Sequence, residues 1–168
     1  MRTSRIAFGV AAVMALSMPS YFALAAARGG QSEAAYLNAF EGKWSGSGAV
    51  RLAPGTPMLS LDCTMSGTAG ATRLNISGSC GKGLIGSQVA AQLDFDARSN
   101  TYSGTWRNAS QTAALSGVRR GNNLSLKVVE ADKPDRRMSL AVNDGKLVLV
   151  INRVDDQAKV LELGLDRT

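Results

Sequence analysis

Histidine is absent from this sequence of 168 residues. That removes the commonest general base and the commonest metal ligand together. Cysteine occurs only twice, at Cys63 and Cys80, so a structural zinc site would need carboxylates to complete its four ligands. Aromatic residues make up 5% of the chain, and the basic residues are scattered, with short clusters at Arg119-Arg120 and Arg136-Arg137. Nucleic-acid binding needs positive charge gathered into a stripe, and this pattern argues against it. The strongest apolar run, Ile6 to Leu16, is too short to span a bilayer comfortably without the polar Ser17 and Ser20.

What stands at the start is ordered like a secretory signal peptide: Arg2 and Arg5, the apolar run, Pro19, then small residues from Ala23 to Ala27. Cleavage is expected after Ala25, with Ala27 as second choice, which makes residues 1–25 a leader; a retained membrane anchor is the alternative reading. No cysteine sits at the cleavage point, which argues against a lipoprotein. Losing Arg2 and Arg5 leaves 17 basic against 13 acidic residues, a net charge of +4. So mild a charge suits weak attraction to anionic envelope surfaces. The expected location is the periplasm or the exterior, with no stable membrane anchor after cleavage. In an oxidising compartment Cys63 and Cys80 read most simply as one disulfide, the alternative being two free buried thiols.

Residues 26–41 form a helical lead-in. Ser32 is a candidate N-cap, and Tyr36, Leu37 and Phe40 fall at helical spacing, so a short amphipathic helix is expected to plug or cover one end of a core. At Gly42 the period changes. Leu59, Leu61, Cys63 and Met65 alternate, as do Leu74, Ile76, Gly78 and Cys80, then Val89, Ala91, Leu93 and Phe95. Turn chemistry separates these segments, and Asn143-Asp144-Gly145 between Val142 and Leu147 is a hairpin signal. Connections so short leave no room for crossover helices, and neighbouring strands should pair antiparallel. Residues 42–168 are therefore expected to make one all-β domain, an antiparallel up-and-down barrel of about 8–10 strands, since closure removes the exposed edges. A two-sheet sandwich is the alternative.

The first of these strands carries "FEGKWSGSG", in which Trp44, Gly46, Gly48 and Val50 share one face. "YSGTW" repeats the theme with Tyr102, Gly104 and Trp106. A short helix followed by Gly-x-Trp on the first strand resembles the opening of calycin and lipocalin-like barrels, and Trp-x-Gly-x-Gly is similar to the nitrobindin branch. The resemblance implies a late-strand arginine packed over the tryptophan, a place for Arg153, with Arg107 and Arg119 as competitors. Nitrobindin-like barrels hold haem through a histidine; with none in this chain, no cofactor is expected. Small periplasmic inhibitor barrels are also similar in size, early tryptophan and single disulfide.

Motifs that could carry catalysis have plainer readings. Ser79-Cys80-Gly81-Lys82 matches Ser-x-x-Lys, a nucleophile motif that needs both residues on one helix, whereas here it straddles a strand end. Asp94 and Asp96 fail the calcium-loop pattern, because Arg98 takes the next ligand position, and by parity with Phe95 they face solvent. The expected function is therefore non-catalytic: a barrel that binds a small apolar or amphipathic ligand, with Trp44, Gly46, Gly48, Tyr102, Trp106 and Arg153 as candidate contacts. The alternative is a protein-binding module of the envelope with a filled core, such as an inhibitor or assembly factor, using an exposed loop like "RLAPGTP" or "ADKPDRR". Small inward residues could mean either a cavity or close approach of the walls.

Overall fold

The change of period at Gly42 is where the backbone passes from helix to strand. In the computed structural model, which describes residues 33–168 apart from 84 and 132, helix α1 covers residues 33–38. The expected leader at residues 1–25 and the candidate cap Ser32 lie outside the described residues. The last turn of α1 tightens, with Ala39 N donating to Tyr36 O at 3.2 Å and Phe40 N to Leu37 O at 3.0 Å. Gly42 then turns the chain with φ +112°, a value that side chains disfavour.

Ten strands follow: β1 (Gly42–Val50), β2 (Leu59–Ala69), β3 (Arg73–Lys82), β4 (Ile85–Asp96), β5 (Thr101–Asn108), β6 (Thr112–Arg120), β7 (Asn123–Val129), β8 (Arg136–Asn143), β9 (Lys146–Arg153) and β10 (Lys159–Arg167). Each pairs antiparallel with its neighbours in sequence, and β1 pairs with β10 to close the barrel. The sandwich alternative is thereby set aside. At the hairpin expected from Asn143-Asp144-Gly145, Asp144 (φ 49°) and Gly145 (φ 75°) supply the two left-handed residues of a tight turn. Alternation sends Leu124, Leu126, Leu140, Leu147, Leu163 and Leu165 inward to almost complete burial.

The closing seam explains the glycines beside Trp44. Gly46 lies opposite Leu165 and Gly48 opposite Leu163. A Cβ on Gly46 would stand 2.4 Å from the carbonyl oxygen of Gly164, and one on Gly48 would stand 2.2 Å from that of Glu162. These positions are bare because the neighbouring backbone coils against them, which lets the strand curl into a closed wall. Of the two readings open at the start, close approach is the one the seam displays.

Cys63 and Cys80 are direct partners in the β2–β3 register and form a disulfide. Cys63 is buried with the core, and Cys80 is half-buried. Because the bridge spans neighbouring strands near one end of the barrel, it fastens that part of the wall.

Two stability measurements follow. Gly46→Ala is expected to cost at least ~2 kcal/mol in urea unfolding, since the clash is with backbone and only strand movement relieves it. Gly164→Ala, on the facing strand but with nothing within 4 Å of the added carbon, should stay within about 0.5 kcal/mol of the parent. Reducing the disulfide, whose cysteines are 17 residues apart, should lower stability by about 3 kcal/mol on the chain-entropy account.

Candidate functional site

The two ends of the barrel differ. At one end α1 and the turn after it insert Leu37 and Phe40, both fully buried, together with Tyr36. Beneath them lies Trp44, whose Nε1 donates to Phe40 O at 3.0 Å. Arg167 sits directly opposite Trp44 across the seam, its guanidinium 4.4 Å from the centre of the indole. The same guanidinium donates to the carbonyls of Glu41 and, at 2.7 Å, Ala39. The chain leaving α1 thus has three carbonyls satisfied by one indole and one guanidinium, groups that would otherwise be orphaned at a helix end.

A buried ion pair holds the start of the described helix. Glu33 is 5% exposed. Arg119 Nε lies 2.8 and 2.9 Å from its two carboxylate oxygens, and the Tyr102 hydroxyl donates to Oε2 at 2.5 Å. Arg119 also lies over the Tyr36 ring, 4.8 Å from its centre, and donates to Gly121 O at 2.8 Å. A buried charge pair is tolerable only when its remaining polar sites are bonded, and this one is bonded on both sides. These contacts fasten α1 across this end of the barrel.

The other end is open. Here Val50, Leu61, Met65, Trp106, Leu161 and Leu163 surround a cavity of about 480 Å³, with Cys80 in its wall and Ser60, Lys82, Ser87 and Asn108 near its rim. Leu52 (70% exposed) and Leu59 (46%) make an apolar lip. Deeper in, a void of about 30 Å³ remains among Leu74, Leu93, Leu115, Met138 and their neighbours, so the middle of the barrel is filled. The indole of Trp106 borders the cup, this small void and a hollow of about 120 Å³ across the mouth near Glu130 and Arg136. That side is charge-matched: Lys133 and Arg136 each lie 2.9 Å from a carboxylate oxygen of Glu130. A groove of similar volume outside β1–β4 is shallow and faced with hydroxyls, including Ser45, Thr64, Ser66 and Ser79.

The six candidate contacts from the sequence separate between the ends. Trp106 lines the cup. Trp44 and Tyr102 belong to the sealed end, and Gly46 and Gly48 to the seam. Arg153 does not lie over Trp44: it is at the far end of β9, paired with Asp155 and, at 3.4 Å, with Asp156. The hydrogen bond from Arg153 pulls the Asp155 carboxyl down to about 2. Arg167 takes the place expected for Arg153, because Leu161, Leu163 and Leu165 continue their parity for one more step to the end of β10. The competitor Arg119 stacks on Tyr36 instead, and Arg107 is exposed.

The motifs given plainer readings are also placed. Ser79 and Lys82 point to opposite faces of β3: Ser79 Oγ is 3.3 Å from Thr64 Oγ1 on the outer surface, while Lys82 lines the mouth. Asp94 pairs across strands with Arg73 at 2.5 Å, and that hydrogen bond holds its carboxyl below the usual range. Asp96 accepts from Arg98 N at 2.8 Å in the following turn. Among the described residues no group of three or more cysteines and carboxylates could hold a metal ion.

Burial, first of all, pushes the Tyr36 and Tyr102 phenols above their ordinary value of 10.0, and for Tyr102 the bond to Glu33 adds to it. The folded protein therefore keeps both phenolic protons after the unfolded chain has begun to lose them. Their contribution is fully present below the ordinary phenol range and declines as pH rises through it. Stability to urea should accordingly fall above pH of about 10, and Tyr36→Phe and Tyr102→Phe should each flatten that fall.

No protein family and no curated protein matches the sequence. Among solved structures the chain is similar to Rv2717c from M. tuberculosis, with a TM-score of 0.59 and 17% identity over 79% of this chain and 94% of that one. The likeness is one of fold: a small, closed antiparallel β-barrel.

Proposed function

We propose that this protein is a non-catalytic binding barrel that holds one small apolar or amphipathic molecule in the cup at its open end. The carrying observation is the cup itself, about 480 Å³ behind an apolar lip, in a molecule whose middle is filled and whose other end is sealed. Its volume is in the range of pockets that enclose small ligands, and its lining follows the same plan of apolar walls with a few convergent polar groups. The plugged end, with an arginine stacked on the tryptophan of the first strand, supports a lipocalin-like reading. The disulfide in the wall fits residence in an oxidising compartment such as the periplasm or the exterior.

The site's chemistry supports binding over turnover. Glu130, the carboxylate near the mouth beside Trp106, is matched by Lys133 and Arg136. Lys82 and Ser79, the pair suggested by Ser-x-x-Lys, face opposite ways and cannot share a proton.

The two tryptophans sit at opposite ends, which gives the test. The neutral fluorophore N-phenyl-1-naphthylamine should bind saturably, one per chain, and quench emission from Trp106. The quenching should persist in Trp44→Phe and be lost in Trp106→Phe. Leu61→Trp, which puts an indole into the cup, should weaken binding by about tenfold or more. Absence of saturable binding to the parent protein, or equal binding to Leu61→Trp, would sink the proposal.

A further inference from the structure

The cations at the open end are unequally satisfied. Lys133 and Arg136 share Glu130, Arg153 pairs with Asp155, and Lys159 pairs with Glu162 at 2.5 Å. Two others differ. Arg51 spends its guanidinium on carbonyls, donating to Lys159 O at 3.2 Å and to Thr56 O, and so ties the loop after β1 to β10. Lys82 donates from Nζ to Ser60 Oγ at 3.0 Å. Neither forms an ion pair with a described residue. An ammonium carries three N–H donors, so one bond to a neutral hydroxyl leaves Lys82 with both charge and donors available.

Position makes this more than a surface lysine. Lys82 is the last residue of β3, two residues beyond Cys80, and both line the cup. The adjoining walls are apolar and poor in screening, which strengthens a charge at their edge relative to one in open water. Apolar surface below and an ammonium above that is bonded only to a neutral hydroxyl is complementary to a molecule with the opposite plan.

We propose that the occupant of the cup is a single-chain carboxylate amphiphile of the fatty-acid type. Its chain lies against Leu61, Met65, Trp106 and Leu163, and its carboxylate accepts from Lys82. This rests on the binding reading above and adds the sign and place of the head group. One ammonium acting as a point charge suits a monoanionic head. Arg51, already committed to two carbonyls, holds the lip and contributes field.

Calorimetric titration with dodecanoate and with dodecan-1-ol, both below their aggregation limits, separates the two layers. The parent protein should bind dodecanoate about tenfold more tightly than the alcohol, the scale of a hydrogen bond to a charged group. In Lys82→Met that ratio should fall to about one, and in Lys82→Arg it should be retained. Equal binding of the two probes by the parent, or a preference that survives in Lys82→Met, overturns the head-group assignment and leaves the apolar cup standing. Binding of neither probe overturns both.

Discussion

The seam between β1 and β10 is the constraint on which this barrel depends. A ten-strand meander has two free edges until its first and last strands meet, and their meeting needs backbone to approach backbone where side chains would intervene. Gly46 and Gly48 provide that approach, and Trp44 and Arg167 lie opposite one another at the end of the same seam. The residues that let the sheet close are therefore continuous with those that stack and bond over the closed end. A substitution there would disturb both closure and plug, whereas the cup lies at the other end of the strands.

Polarity is distributed along the same axis. At the sealed end, Glu33, Arg119 and Tyr102 form a buried cluster whose oxygens and guanidinium nitrogens are mutually bonded. At the open end the polar groups are on the rim, with apolar wall beneath them. One helix of a few residues accounts for the difference. With the turn that follows, it fills one end with Leu37 and Phe40, while the loops at the opposite end, residues 51–58 and 154–158 among them, pass around the opening.

Much of this was legible in the sequence, and the parts that were not have physical reasons. Alternation after Gly42 marks the strands because inward positions must be apolar wherever one face is a core, and the short turns allow only antiparallel neighbours. The helix is legible from Tyr36, Leu37 and Phe40. Arg167 follows from the same parity, but only when the last strand is carried beyond Leu165. Glu33 has no local signal: its partner Arg119 is 86 residues away, and nothing about either residue alone marks them as a pair. The cup is equally hidden, since its volume depends on which strand ends gather at the mouth. A hint exists in retrospect, because the inward positions nearest the opening, Val50, Ser87 and Asn108, are smaller or more polar than Trp44, Phe95 and Tyr102 near the helix.

The crosslink between β2 and β3 runs through the wall of the cup, with Cys80 on its surface. A hollow lined by separate strands could shrink when vacated, but covalent bracing resists that collapse. Solvent filling such a hollow finds few hydrogen-bonding partners and is poorly compensated for leaving the bulk. Its displacement by a hydrocarbon chain then releases heat along with the fall in heat capacity that apolar burial brings, so association would be enthalpic in character near room temperature.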